Sequence, residues 1–268
     1  MSRIEGHTPV FTKNASETSI CFHHARRWFP RWLLLGALAL AGSPAGAGVI
    51  VIGQGSSLAT GAGQVELRCG DAEIAGSLSG SLKGARDITL GPGAELSGAL
   101  LSLSGSWINN GGRSINASVD WPDGCGVVES RMLGSSDLLA LTISSQSGRE
   151  IRFDGAGEQL IADSLSLNGT PDALLRLRST GQAQFARLSL GSGGSQMIHA
   201  VDVAYIDSNA GQSIAPGNPA GYDSVRSGPV RNWFVLPPIP VSTLGLVSTL
   251  LLGLLMLLLG LFFPRRVL

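Results

Sequence analysis

The sequence predicts an all-β chain: a single-stranded right-handed β-helix, or solenoid, over residues 48–236, followed by a C-terminal transmembrane helix. Three observations point there. Short apolar–polar–apolar triplets recur through the middle of the chain. Glycine, at 37 of 268 residues, is well above the roughly 7% average and falls between those triplets. An uncharged stretch, 244–263, nearly closes the sequence and is followed by Arg265-Arg266.

The N-terminal segment, 1–47, has the order of a secretory signal peptide with a long basic region. Arg26, Arg27 and Arg31 precede an apolar run from Leu33 to Ala41, and Ala45-Gly46-Ala47 forms a small-residue cleavage site before Gly48. The apolar run is too short to span a bilayer, which needs about 20 residues. Arg26-Arg27-Trp28-Phe29-Pro30-Arg31 also fits a twin-arginine export motif, so both export routes stay open.

From 48 to 236 the pattern is strand and turn. Ile88-Thr89-Leu90, Leu101-Ser102-Leu103, Leu141-Thr142-Ile143, Leu165-Ser166-Leu167, Leu175-Arg176-Leu177, Leu188-Ser189-Leu190 and Val201-Asp202-Val203 each put apolar side chains on one face and polar ones on the other. Gly91-Pro92-Gly93, Asn109-Asn110-Gly111-Gly112, Asn168-Gly169 and Gly191-Ser192-Gly193-Gly194 supply turns between them. No amphipathic helical period of useful length occurs here. The regular recurrence favours a solenoid, in which each coil pairs with the coils above and below. A solenoid needs capped ends, and Trp233-Phe234-Val235 is the candidate C-terminal cap. The alternative is a β-sandwich bridged between Cys69 and Cys125.

Cys21 leaves with the leader, and Cys69 and Cys125 remain. In an oxidising compartment the pair reads as a disulfide; two buried free thiols are the other possibility. Of 19 acidic residues, Glu5 and Glu17 precede the solenoid. Of 19 basic ones, five precede it and two follow it. That leaves 17 against 12, a net charge of −5, which argues against nucleic acid as a partner. No cofactor is implied, because no glycine cluster has phosphate-loop spacing. His199 is the single histidine of the region, and no Ser/His/Asp set assembles around it. Asp71/Glu73 and Asp120/Asp123 are near-paired carboxylates that read as solvated turn residues. The expectation is therefore a non-enzymatic protein without a metal.

The tail begins with a proline-rich hinge, 237–243. The stretch 244–263, as a helix rising ~1.5 Å per residue, would be about 30 Å long, matching the hydrocarbon core of a bilayer. Residues 264–268 carry Arg265 and Arg266, a stop-transfer cluster held on the cytoplasmic side.

Two resemblances add to this reading. Leu103-Ser104-Gly105-Ser106-Trp107-Ile108-Asn109-Asn110-Gly111-Gly112, the rungs after Leu141, Val201-Asp202-Val203-Ala204-Tyr205-Ile206-Asp207-Ser208-Asn209-Ala210, and Ser227-Gly228-Pro229-Val230-Arg231-Asn232-Trp233-Phe234 resemble bacterial surface β-helices of the haemagglutinin-like type. In the last of these, Pro229-Val230 stands where that type has paired asparagines. The tail, with Ile239, Pro240, Val241, Ser242, Thr243, Leu244 and Gly245, is similar to IPTL-type C-terminal sorting signals read by exosortases in Gram-negative bacteria. Together they imply an exported cell-surface protein, anchored at the inner membrane or sorted outward, with an adhesive or matrix role. The implied partners are a membrane, a sorting protease and an extracellular polysaccharide or surface molecule. A polysaccharide-active, lyase-like β-helix and a glycan-binding module are the alternatives.

Overall fold

The computed structural model describes residues 48–181, 183–236 and 250–255. The leader with Ala45 and Ala47, the motif Ile239 to Gly245, and Arg265 and Arg266 lie outside those residues.

Residues 48–236 form a parallel β-solenoid. Its strands stack in three columns, one per face of the coil. The first column runs from Val49–Ile52 through residues 71–74 and 88–90 to Trp107–Asn109 and Glu129–Leu133. It continues through Glu150–Phe153, Leu175–Ser179 and Val201–Val203 to Val225–Arg226. The second contains Glu95–Ser97, Arg113–Ile115, residues 136–138, Ala186–Leu190, Ile206–Asp207 and Val230–Arg231. The third contains Leu100–Leu103, Ala117–Trp121, residues 140–144 and 164–168, and Ser195–His199. Every ladder between named strands is parallel. The β-sandwich alternative is therefore wrong, since sandwiches are built from antiparallel sheets. The physical reason lies in the turns: they bend the chain by a corner instead of reversing it, so each strand meets its successor one full coil later.

The seven sequence triplets all fall within strands, with their apolar members inside. Ile88, Trp107, Met132 and Phe153 are direct neighbours along the first column and are each 0% exposed. Coil length is irregular, from 15 residues between Gly70 and Ala85 to 31 between Ser164 and Ser195. The corners absorb the difference, because inward alternation fixes only the strand segments.

Polar side chains inside the coil are tied to the corners. Trp107 Nε1 donates to Ser136 Oγ at 3.0 Å, and Trp121 Nε1 to the Gly105 carbonyl at 2.9 Å. The buried Asn109 amide donates to the carbonyls of Gly112 and Ser135, at 3.1 and 2.6 Å, and accepts from the Gly111 and Gly112 amides. It thereby closes one corner and joins it to the next coil. Gly134 completes that contact: its φ is +77°, and a Cβ there would lie 1.9 Å from the Asn109 carbonyl oxygen.

At the C-terminal end Trp233 and Phe234 are buried, whereas Val235 is exposed, so the cap consists of the first two. Asn232, one residue before Trp233, donates to the carbonyls of Ser208 and Gly211. A single asparagine thus ties this corner to the preceding coil, even though Pro229-Val230 replaces the expected pair. At the opposite end Val49 and Val51 face outward and are exposed.

Of the expected span, residues 250–255 are described. They are helical and their leucines are exposed. Among the described residues no helix is long and apolar enough to cross a membrane, so the transmembrane helix is not supported.

Candidate functional site

The outward positions of the first column form the most highly charged strip among the described residues. Alternation puts Ser130 and Met132 inside and Glu129 and Arg131 outside. The same rule turns Glu150 and Arg152, Arg176 and Arg178, and Asp202 outward on the following rungs. Register places Glu129, Glu150, Arg176 and Asp202 in one row and Arg131, Arg152 and Arg178 in the next. Neighbouring rungs are ~4.8 Å apart. Like charges stacked at that distance repel.

Cross-row ion pairs relieve the repulsion. Glu129 Oε1 meets Arg131 at 3.4 Å and Arg152 at 3.3 Å. Arg152 also pairs with Glu150. Arg178 pairs with the Asp202 carboxylate, and its Nη1 donates to the Asp202 carbonyl at 2.8 Å. The exposed pairs contribute at most about 1 kcal/mol each. Arg178 and Asp202 are the most enclosed, with 20% and 14% of their side chains exposed, and Asp202 Oδ1 has no hydrogen-bond partner among the described residues. Chemically the strip is a mutually neutralised polyelectrolyte surface whose arginines hold its carboxylates.

Of the near-paired carboxylates of the sequence, Asp71 and Glu73 stay together on the outward side of one rung, whereas Asp120 and Asp123 separate. Asp71 is bound by Arg86 at 2.8 Å, and Arg86 also reaches Asp87 at 3.1 Å. The Asp71 charge, helped by Asp87, raises the Arg86 pKa above its ordinary value. Glu73 lies on the same rung as Asp71. Asp120 stands on the third column beside Ser102 and Thr142. His199 lies 3.4 Å from Asp223, with both side chains exposed. Among the described residues no group of three or more His, Cys, Asp or Glu could hold a metal ion.

Asp123 belongs to a corner clamp that the sequence did not disclose. Its partner Arg149 has a side chain that is 0% exposed. Arg149 donates to the carbonyls of Ser104 at 2.6 Å, Trp121 at 2.7 Å and Pro122 at 3.2 Å. Its Nε lies 3.5 Å from Asp123 Oδ1. Burial lowers the Arg149 pKa, and Asp123 opposes that shift. Burial pushes the Asp123 carboxyl up, but hydrogen bonds from Ser147, Gln146 and Ser145 outweigh it, leaving the group below the ordinary carboxylate range. The clamp shapes the loop after Pro122, which carries Cys125. Cys125 is joined to Cys69 by a disulfide, with Cα atoms 5.6 Å apart. Cys69 precedes the rung 71–74 and Cys125 precedes Glu129–Leu133, so the bridge passes the corners of the two rungs between them. It is a staple along the solenoid axis.

The only sequence hint of the clamp was Arg149 itself, a charge between Gly148 and the strand Glu150–Phe153. No protein-family model matches this chain, and neither does any curated protein or solved structure.

Proposed function

We propose that the chain is a non-enzymatic exported surface protein. Its solenoid, wound right-handed as parallel crossovers generally are, is delivered by the N-terminal signal. It is then held at a membrane, or sorted, through the C-terminal tail, and contributes to adhesion or to an extracellular matrix. The observation that carries this reading is the Cys69–Cys125 staple. Such bridges persist in oxidising compartments and are rare where thiols are kept reduced. The haemagglutinin-like rungs, the IPTL-like tail and the paired charges of the first face support it as well.

Mass spectrometry of the cell-surface form tests the proposal. The expected mature chain starts at Gly48 and yields an intact Cys69–Cys125 peptide. A reduced chain retained in the cytoplasm with residues 1–47 attached would sink it. Loss of residues 241–268 would identify sorting, and their retention a plain single-pass anchor.

A second reading, a lyase-like polysaccharide-active enzyme, is favoured by one observation: three carboxylates and four arginines share one solvent-facing strip. Incubation with uronate polymers that yields unsaturated products would support it, provided Arg152→Ala abolishes them.

A further inference from the structure

On the second face the stacking is interrupted between Arg113–Ile115 and residues 136–138. These two rungs share no ladder; Leu138 pairs instead with Ala117, and the register slips before Ala140. The Ser114 hydroxyl stands in the gap, donating to the Asp137 carbonyl at 2.7 Å and accepting from the Asp137 amide at 3.2 Å. A side chain thus replaces the backbone bonds and holds the rungs apart. A cavity of about 190 Å³ opens on one side of this wedge, lined by Arg113, Ser135 and the Asp137 side. One of about 260 Å³ opens on the other, lined by Ile115, Leu139 and Leu160. The two share Ser114, Ile115 and Asp137, and each lies below the range of drug-sized sites, about 300–1,000 Å³, leaving room for a single small ring.

We infer that this notch is a binding site for a neutral sugar unit of a polysaccharide. The inference rests on the surface reading above and names a ligand class for it. The chemistry of the lining selects the class. Ile115, Leu139 and Leu160 are 38%, 36% and 38% exposed and form an apolar floor at the surface. Arg113 and Asp137 flank that floor with a fork of donors and a pair of acceptors. A pyranose ring matches both, with a C–H face for the floor and hydroxyls that donate to the carboxylate and accept from the guanidinium. A polyanion matches poorly, because the lining offers one cation, Arg113, against one carboxylate, Asp137, and Glu95 lies beside Arg113 on the preceding rung. With no aromatic platform in the lining, affinity falls in the weak, roughly millimolar range.

The test is fluorescence anisotropy with the full chain in detergent micelles. The probes are labelled neutral hexasaccharides of glucose, galactose, mannose or N-acetylglucosamine, and a labelled hexa-uronate as a contrast. Saturable binding of at least one neutral hexamer is expected, weakened about tenfold or more by Asp137→Ala and by Leu160→Ser. Asp137→Ala keeps the backbone bonds to Ser114, and thermal unfolding would show that both variants stay folded. Lys83→Ala, on another face, should bind like the wild type. Failure of every neutral hexamer to bind, binding of the uronate alone, or affinity unmoved by both notch variants would each overturn the assignment. Mass spectrometry of the surface form reads the underlying surface proposal independently of these outcomes.

Discussion

Replacing Cys69 and Cys125 with serine removes the staple and leaves every strand in place. The bridge closes a loop across a sequence separation of 56. On the chain-entropy account, losing such a constraint frees the unfolded chain by roughly 4 kcal/mol at 25 °C. That figure is an upper estimate, because the reduced unfolded chain retains some structure. The effect should also be local. The rungs that follow the two cysteines are three spacings apart, ~14 Å along the axis, although the cysteines themselves meet with Cα atoms 5.6 Å apart, and in a solenoid each coil is stabilised by its neighbours alone. Urea unfolding should therefore show a loss of about 2–4 kcal/mol. Hydrogen exchange should show protection falling mainly in residues 48–121 and little in 186–231. A loss below about 1 kcal/mol, or an equal loss of protection along the whole stack, would refute the staple as a regional constraint.

Other perturbations follow from single residues. Arg149→Met leaves the carbonyls of Ser104, Trp121 and Pro122 without their donor and Asp123 without its cation, and should cost about 3–5 kcal/mol in chemical denaturation. Asp123 is held below the ordinary range when folded, so the unfolded chain takes up its proton first. The stability it contributes is present above the unfolded value, near 4, and is lost as pH falls through the folded one. Asp123→Asn should flatten that part of the acid-unfolding curve, and an unchanged curve would count against the clamp. Trp107→Ala empties a fully buried site and orphans the Ser136 contact; about 3–5 kcal/mol is expected by thermal or urea unfolding. Gly134→Ala should prevent closure of the Asn109 corner, read as loss of hydrogen-exchange protection at Gly112 and Ser136.

The strands were readable because alternation is a local property. Leu165-Ser166-Leu167 needs only its own three residues to declare which face is buried. The stretch before residue 100 holds only one of the seven triplets, Ile88-Thr89-Leu90, yet it carries the first coils. There, Ala72 and Ala85 fill positions that leucine or tryptophan fill later, so the apolar signal is weak although the geometry persists. Coil length was unreadable, since corners of different size return the chain to the same register. Arg149 escaped because an arginine beside a strand reads as solvated; the three carbonyls that hold it come from residues 27 to 45 positions earlier. The Ser114 wedge escaped for the same reason, as its partner is 23 residues away and nothing distinguishes this serine from its many neighbours.

The staple also has a mechanical meaning. A pull applied at the C-terminal end of the stack peels coils off one at a time, each surrendering its chain length as slack. Peeling halts at Cys125: the segment back to Cys69, a separation of 56 residues, is covalently short-circuited. At ~3.4 Å per residue, about 190 Å of extension is withheld. Whatever load the chain bears, its leading coils stay knotted to its middle after the trailing ones have run out.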